Sequence, residues 1–485
     1  MDCGSEGYAS SVLERYGYYR LSGYWHPYRD RPDPPAPRFD KWGHEIRLDT
    51  FVPGTSLEHV VSLYEFDGEL RTRLGGVLSM IETAFRFFIG HRLGRVDPFA
   101  HRNPEVLDAM KPGESDTSSE PTAGYLEWLE EYDGYEKRAR GAFITHFREK
   151  YGPNLPIWVA TEVMSFGVLN SLYKLMKQGD QEILAARFQI HTADGRGDRG
   201  ALRNWLNNLR NVRNICAHYG RLWNRTFDVL INAPGKARED NADPLVSLVN
   251  DAIKNTLYGV LLVMRYLLLS ITPERADVVD VADFIESQSK VLGFRMSQLG
   301  FPDGWRDNQI WDRGFALDRM PMLVASLLDR AESMTAAQTR EALTSVELTE
   351  VEQDRTAEEE ARAKKAAQRK LLRTYRKYKV VIEIELGRTK YYPAFQFRDG
   401  SIIDVLAEVN EKLVESCGCD ALESACVARA LLDWWQAPHP DLPKDKGGSD
   451  CSPLDLLGEV SEREFEKIIR EAHTMSSFVP PDRQC

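Results

Sequence analysis

Arg213 and His218 stand five residues apart in NVRNICAHYGR, an R-x4-H arrangement whose residue types suit phosphodiester chemistry. Histidine titrates near neutrality and can move the proton of a ribose 2′-OH or of the leaving oxygen. Arginine presents a planar, permanently charged fork to the charge that builds on a phosphate. The surrounding stretch, Ala201 to Arg225, carries Arg203, Arg210, Arg213, Arg221 and Arg225 with no Asp or Glu, in a chain whose formal net charge is -12. Asn207, Arg210, Asn214, His218 and Arg221 recur at helical spacing. Arg213 and His218 are therefore the catalytic candidates, and Asn207, Arg210, Asn214 and Arg221 the candidates for placing a substrate. Spacing alone leaves the plainer alternative open, since an exposed histidine among arginines is also ordinary protein surface.

A helix must position them. Leu202, Trp205, Leu209, Val212 and Cys216 recur at steps of three and four, the core stripe of an amphipathic helix. Five residues on an ideal helix are about 140° of rotation. One helix therefore splays the pair, with Arg213 at the edge of the core stripe and His218 facing out. A two-fold dimer would bring two such helices into one groove, so the expected site is composite and homodimeric. No metal or other cofactor is expected. The cysteines at 3, 216, 417, 419, 426, 451 and 485 lack the C-x2-C spacing of a structural zinc site, and their odd, scattered set suits a reduced cytoplasm.

At 485 residues, with 42% hydrophobic and 28% charged, the chain has the length and composition of a globular protein of two or three domains. Its start, MDCGSEGYASS, has neither the basic region nor the apolar run of a signal peptide. Leu257 to Ile271 is the most apolar segment, but it is short and interrupted by Arg265, so it reads as a buried helix and no membrane partner is expected. Overall acidity argues against sequence-blind coating of nucleic acid. It leaves room for a local basic site, because screening acts within about 8 Å.

Residues 8–30 are rich in aromatics (Tyr16, Tyr18, Tyr19, Tyr24, Trp25, Tyr28) and read as a folded arm, or alternatively as an RNA-stacking surface. Ser56 caps a long helix whose apolar stripe runs from Leu57 to Phe85. Within it, Gly75 and Gly76 suit a kink or a close helix contact, and Glu82 and Arg86 form an i, i+4 pair in which Arg86 could also reach a phosphate. Tyr125 to Tyr151 reads as one helical stretch and LPIWVATEVMSFGVLNSLYKLMKQGD as one helix. Residues 56–271 thus form an all-α bundle, completed by 275–335. Residues 336–379 are a charged helical linker, acidic first and basic last. Beyond it, Val380, Ile382 and Ile384 alternate with glutamates before a turn at Gly387, Ser401 opens a helix, and Ala421 to Trp435 forms another. The expected fold class is mainly α, with domains at 1–335 and 380–485, the second a small α+β unit.

YYRLSGYWHPYR, LYEFDGELR, IETAFR, LPIWVATEVMSFGVLNSLY and LRNVRNICAHYGRLWNR, in this order, resemble the Abi-like abortive-infection family (AbiD/AbiF type) over roughly residues 10–270. That family is assigned to the HEPN superfamily of helical, usually dimeric domains, many of them metal-independent ribonucleases with an R-x4-6-H motif. The resemblance implies an HEPN-like bundle, RNA as substrate, Arg213 and His218 as the catalytic pair, and phage defence by RNA cleavage. YYPAFQFRDGSIIDVLAEVNEKL, ALLDWWQAPHPDL and SPLDLL resemble the toxin-binding domain of MbcA/ParS/Xre-type antitoxins, here without a preceding helix-turn-helix. This second resemblance implies a protein partner for the C-terminal domain. The alternative to catalysis is a non-catalytic RNA- or protein-binding member of a toxin–antitoxin-like system.

Overall fold

The computed structural model describes residues 1–34, 38–41, 45–111, 120–317, 333–335, 381–382, 384–386, 389–398, 401–416, 431–432, 434–437, 439, 442–443, 451–459, 464–465 and 467–468. The chain is mainly helical and divides into two compact units, Met1–Ala193 with Asp198–Leu317, and Asp194–Gly197 with Asp318–Cys485.

The first unit is built on one long helix. Helices α1 (Glu6–Tyr16) and α2 (Tyr18–Trp25) form the N-terminal arm, and α3 (Leu57–Gly94) is the axis. Ser56 caps α3 by accepting the His59 N–H at 3.1 Å, the role its position implied. The buried face of α3 runs from Leu57 through Leu70, Leu74, Val77, Ile81 and Phe85 to Leu93. Gly75 and Gly76 face open space, so neither makes the close helix contact that glycine there suggested.

Next come α4 (Ala123–Arg138), α5 (Ala142–Tyr151), α6 (Ile157–Val163), α7 (Phe166–Leu175) and α8 (Gln178–Arg187). The two stretches read as single helices are each broken. Gly141, at φ 124°, separates α4 from α5 in a conformation that residues with a Cβ avoid. Extended backbone at Met164 and Ser165 separates α6 from α7, and the Ser165 hydroxyl caps α7 at Val168.

Then follow α9 (Arg199–Ala217), α10 (Gly235–Glu239), α11 (Leu257–Ile271) and α12 (Asp277–Leu292). The apolar α11 is buried at every residue from Leu257 to Leu269. Its one charge, Arg265, is accommodated because its guanidinium donates to the carbonyls of Arg275, Ile310 and Asp312, each at 3.1 Å. Residues 275–317 thus complete this bundle, with Trp305 and Trp311 packed edge to face in it. Among the described residues, no helix is long and apolar enough to cross a membrane.

In the second unit, Ile384–Leu386 and Thr389–Pro393 pair antiparallel, as strands on either side of the expected turn would. The strand Ser333–Thr335 pairs with the other edge of Thr389–Pro393, which carries 333–335 into this unit, whereas the sequence pattern put the boundary after them. Ser401 does not open a helix: Ser401–Ile402 pairs with Phe397–Arg398, and the helix starts at Asp404. The buried Gln396 amide ties the unit together, donating to the carbonyls of Ile382 and Pro393. The linker 336–379, and Cys417, Cys419 and Cys426, lie outside the described residues.

Candidate functional site

Helix α9 begins at Asp198, whose carboxylate accepts the Ala201 N–H at 2.9 Å. Leu202, Trp205, Leu209 and Val212 are fully buried, as the stripe required, and Cys216 is half-buried. The inner amides of this helix are structural. Asn204 and Asn208 donate to the Leu230 and Val229 carbonyls at 2.9 and 2.7 Å, and the Trp205 indole donates to the Asn232 carbonyl at 2.9 Å. The outer row is Arg203, Asn207, Arg210, Asn214 and His218.

The helix stops at Ala217, with His218 as its C-cap. Tyr219 turns left-handed at φ 57°, and the Gly220 N–H returns to the Ile215 carbonyl at 2.8 Å. A buried clamp then takes over. The Asp67 carboxylate on α3 accepts the backbone N–H groups of Leu222 and Trp223 at 3.1 and 2.8 Å. It also accepts from Arg71 and from the Tyr24 hydroxyl, each at 2.6 Å. Arg71 donates in turn to the Gly220 carbonyl at 3.3 Å. Burial pushes the Asp67 carboxyl up from its ordinary value, and the bonds from Tyr24, Arg71, Leu222 and Trp223 pull the other way.

The clamp uses YYRLSGYW, LYEFDGELR and GRLW at once, and residue-by-residue periodicity missed it. The signal was there. Between Phe66 and Leu74 the buried face of α3 carries a charged i, i+4 pair, Asp67 and Arg71, among its apolar residues.

The clamp also removes Arg221 from the outer row. Arg221 lies past the helix end, and its guanidinium donates to the Gly23 carbonyl of α2. Burial lowers its pKa, the mark of a desolvated structural cation. It fastens the N-terminal arm and does not share a face with His218.

Arg213 sits where the helix arithmetic placed it, at the edge of the core stripe. Its Nε lies 3.7 Å from Glu82 Oε2 on α3, and its Nη1 reaches Asn214 Oδ1 at 3.4 Å. Glu82 also binds Arg86, which donates on to the Thr161 carbonyl, so Arg86 is engaged in the fold. Arg213, Glu82 and Arg86 line a cavity of about 330 Å3 together with Gly75, Leu78, Ser79 and Thr83. Arg213 meets α3 at Glu82, and the chain just past the helix meets it at Asp67 and Arg71. The His218 imidazole is exposed and makes no hydrogen bond, ion pair or ring contact among the described residues. The partners of the Arg213 guanidinium are thus Glu82 and Asn214, and no hydrogen bond joins it to His218 among the described residues.

The outer row gains a member from α7. The Arg210 side chain packs beside Gly167, and Lys174 sits in the positive fields of Arg210 and Arg203. Burial first, and then those two arginines, lower the Lys174 pKa. Among the described residues, none of Lys174, Arg203 and Arg210 forms an ion pair with a carboxylate. Cations crowded together without acids are costly unless something anionic joins them. Asn207 lies half-exposed between Arg203 and Arg210, and Asn214 is exposed one turn short of His218. No group of three metal-ligating side chains comes together among the described residues.

Residues 11–224 match the family model described as Abi-like protein. The matched region runs from the arm through the clamp to the segment that follows α9, so the elements that position His218 all lie inside it. This part of the chain is similar to the family so described. No match was found among curated proteins or among solved structures.

Proposed function

From the Abi-like character of residues 11–224, we propose that the protein is an antiphage effector that cleaves RNA through Arg213 and His218. The observation that carries this reading is the position of His218. It is an exposed imidazole without a partner among the described residues, held by a buried clamp at the end of a row of cations that form no ion pair with a described acid. RNA fits that row through its phosphates, which Lys174, Arg203 and Arg210 would pair. The 2′-oxygen attacks phosphorus, the bond to the 5′-oxygen breaks, and a 2′,3′-cyclic phosphate and a 5′-hydroxyl result. His218 moves the proton, Arg213 faces the charge on the non-bridging oxygens, and Arg210, Asn207 and Asn214 place the strand. That no hydrogen bond joins Arg213 to His218 among the described residues favours a homodimeric site, in which the arginine of one copy serves the histidine of the other. The C-terminal unit controls this activity through protein contact.

His218→Ala is expected to abolish cleavage of total RNA, assayed with EDTA present and followed by end-group analysis, and to leave the circular dichroism spectrum unchanged. Cleavage at the wild-type rate by the variant would overturn the assignment. That no side chain among the described residues orients His218 also favours a second reading, a non-catalytic RNA binder, which retained RNA without new ends would reveal.

A further inference from the structure

Tyr219, the residue after His218, is built against local preference. It occupies the left-handed region at φ 57°, where a residue with a Cβ is strained and a bulky one is an outlier. Helix ends that turn this way usually place glycine at that position. The neighbouring glycine serves a different need: a Cβ on Gly220 would lie 3.0 Å from Ile215 Cγ2 and 3.2 Å from the Ile215 carbonyl oxygen.

Among the described residues, two other non-glycine residues share the conformation, and each has a reason for it. Gln189 is tied into the core by the Tyr266 hydroxyl, which donates to its carbonyl at 2.9 Å, and Asn224 is of a type that tolerates left-handed backbone. Tyr219 has neither. Its side chain is 69% exposed and makes no ring contact or side-chain hydrogen bond among the described residues. The strain persists because Asp67 and Arg71 fix the chain at Gly220, Leu222 and Trp223. Overdetermined strain of this kind accompanies functional positions. Here the strained turn holds a bare aromatic ring in water, one residue from the imidazole.

We propose that Tyr219 is the stacking platform for a nucleobase of single-stranded RNA next to the phosphate at His218. The inference rests on the ribonuclease reading and adds a base-binding residue to it. Every base has an aromatic face, so a single ring grips the strand with little sequence preference. Base readout would then come from elsewhere on the surface.

The test uses the full-length His218→Ala protein as parent, so that RNA is held and not cut. The probe is a single-stranded RNA oligonucleotide carrying 2-aminopurine, read by anisotropy for affinity and by fluorescence quenching for stacking. Adding Tyr219→Phe is expected to preserve both signals. Adding Tyr219→Gly is expected to abolish the quenching and to weaken binding roughly 5- to 150-fold, the size of one base–aromatic stack. The glycine variant should also melt higher than the parent, since the strain is relieved. A residue with a structural role would lose stability and binding together.

Unchanged binding and quenching in Tyr219→Gly would overturn the proposal while leaving the ribonuclease reading in place. A dimer mass that halves in Tyr219→Gly, with binding restored at protein concentrations where the dimer re-forms, would also overturn it, by making the ring an interface residue. A parent that does not bind the RNA at all would sink the ribonuclease reading and this inference with it.

Discussion

Asp67 Oδ1 accepts the backbone N–H of Trp223 at 2.8 Å, so a carboxylate on the long helix α3 fixes the chain just after His218. The two residues are far apart in sequence, and both are fully buried. Through this bond, the matching one to Leu222 and the one from the Tyr24 hydroxyl, the N-terminal arm, the axis of the bundle and the segment after α9 are held as one piece. The exposed imidazole needs no side-chain support of its own, because its backbone is held from beneath.

Asp67→Ala should be strongly destabilising. It leaves the Arg71 guanidinium buried without its carboxylate and orphans two backbone N–H groups. Breaking a buried pair by removing one partner costs about 3–5 kcal/mol. Urea denaturation monitored by tryptophan fluorescence measures the loss. Stability equal to wild type would show that the clamp is not what holds the turn.

Arg210 and Arg221, both candidates for substrate placement on sequence grounds, should behave differently when changed to Ala. Arg210 lies in the acid-free row with Lys174 and Arg203, so Arg210→Ala should weaken RNA binding across sequences. The salt dependence, plotted as log affinity against log salt, should become shallower by about 0.7 for each phosphate of a single strand that the variant no longer neutralises. Arg221→Ala removes the donor to the Gly23 carbonyl, so it should lower the melting temperature and leave that slope unchanged. Equal slopes for the two variants would refute the distinction.

His101 sets an acid limit on stability. It is fully buried against the Tyr132 ring, neither ring nitrogen has a hydrogen-bond partner among the described residues, and burial holds its pKa down at about 3. The ordinary value is about 6.5, so between the two values the unfolded chain binds the proton and the folded one does not. Stability contributed by the neutral imidazole is therefore present above pH of about 6.5 and falls as pH drops toward about 3, by up to about 1.4 kcal/mol per unit. His101→Phe should flatten this dependence in denaturation curves taken across that window. An unchanged profile would mean that other groups set the acid limit.

The sequence by itself determined the mainly helical class, the Ser56 cap, the buried face of α9 and the position of Arg213 at its edge. These follow from rotation per residue and from cap chemistry, which are local properties of the chain. It could not determine where that helix ends. Extending the period past Ala217 put Arg221 on the outer row, but Tyr219 turns left-handed there, and Asp67 and Arg71 draw Gly220, Leu222 and Trp223 into the core. Breaks within the two stretches read as single helices are hidden for the same kind of reason, because short interruptions at Gly141 and at Met164 and Ser165 keep most of an apolar pattern intact. Lys174 joined the cations of α9 only through packing of α7 on α9. Periodicity sets which way a side chain points along one helix. Which helix it then meets, and where the helix must stop, depends on packing between residues far apart in the chain, and only the tertiary structure decided those.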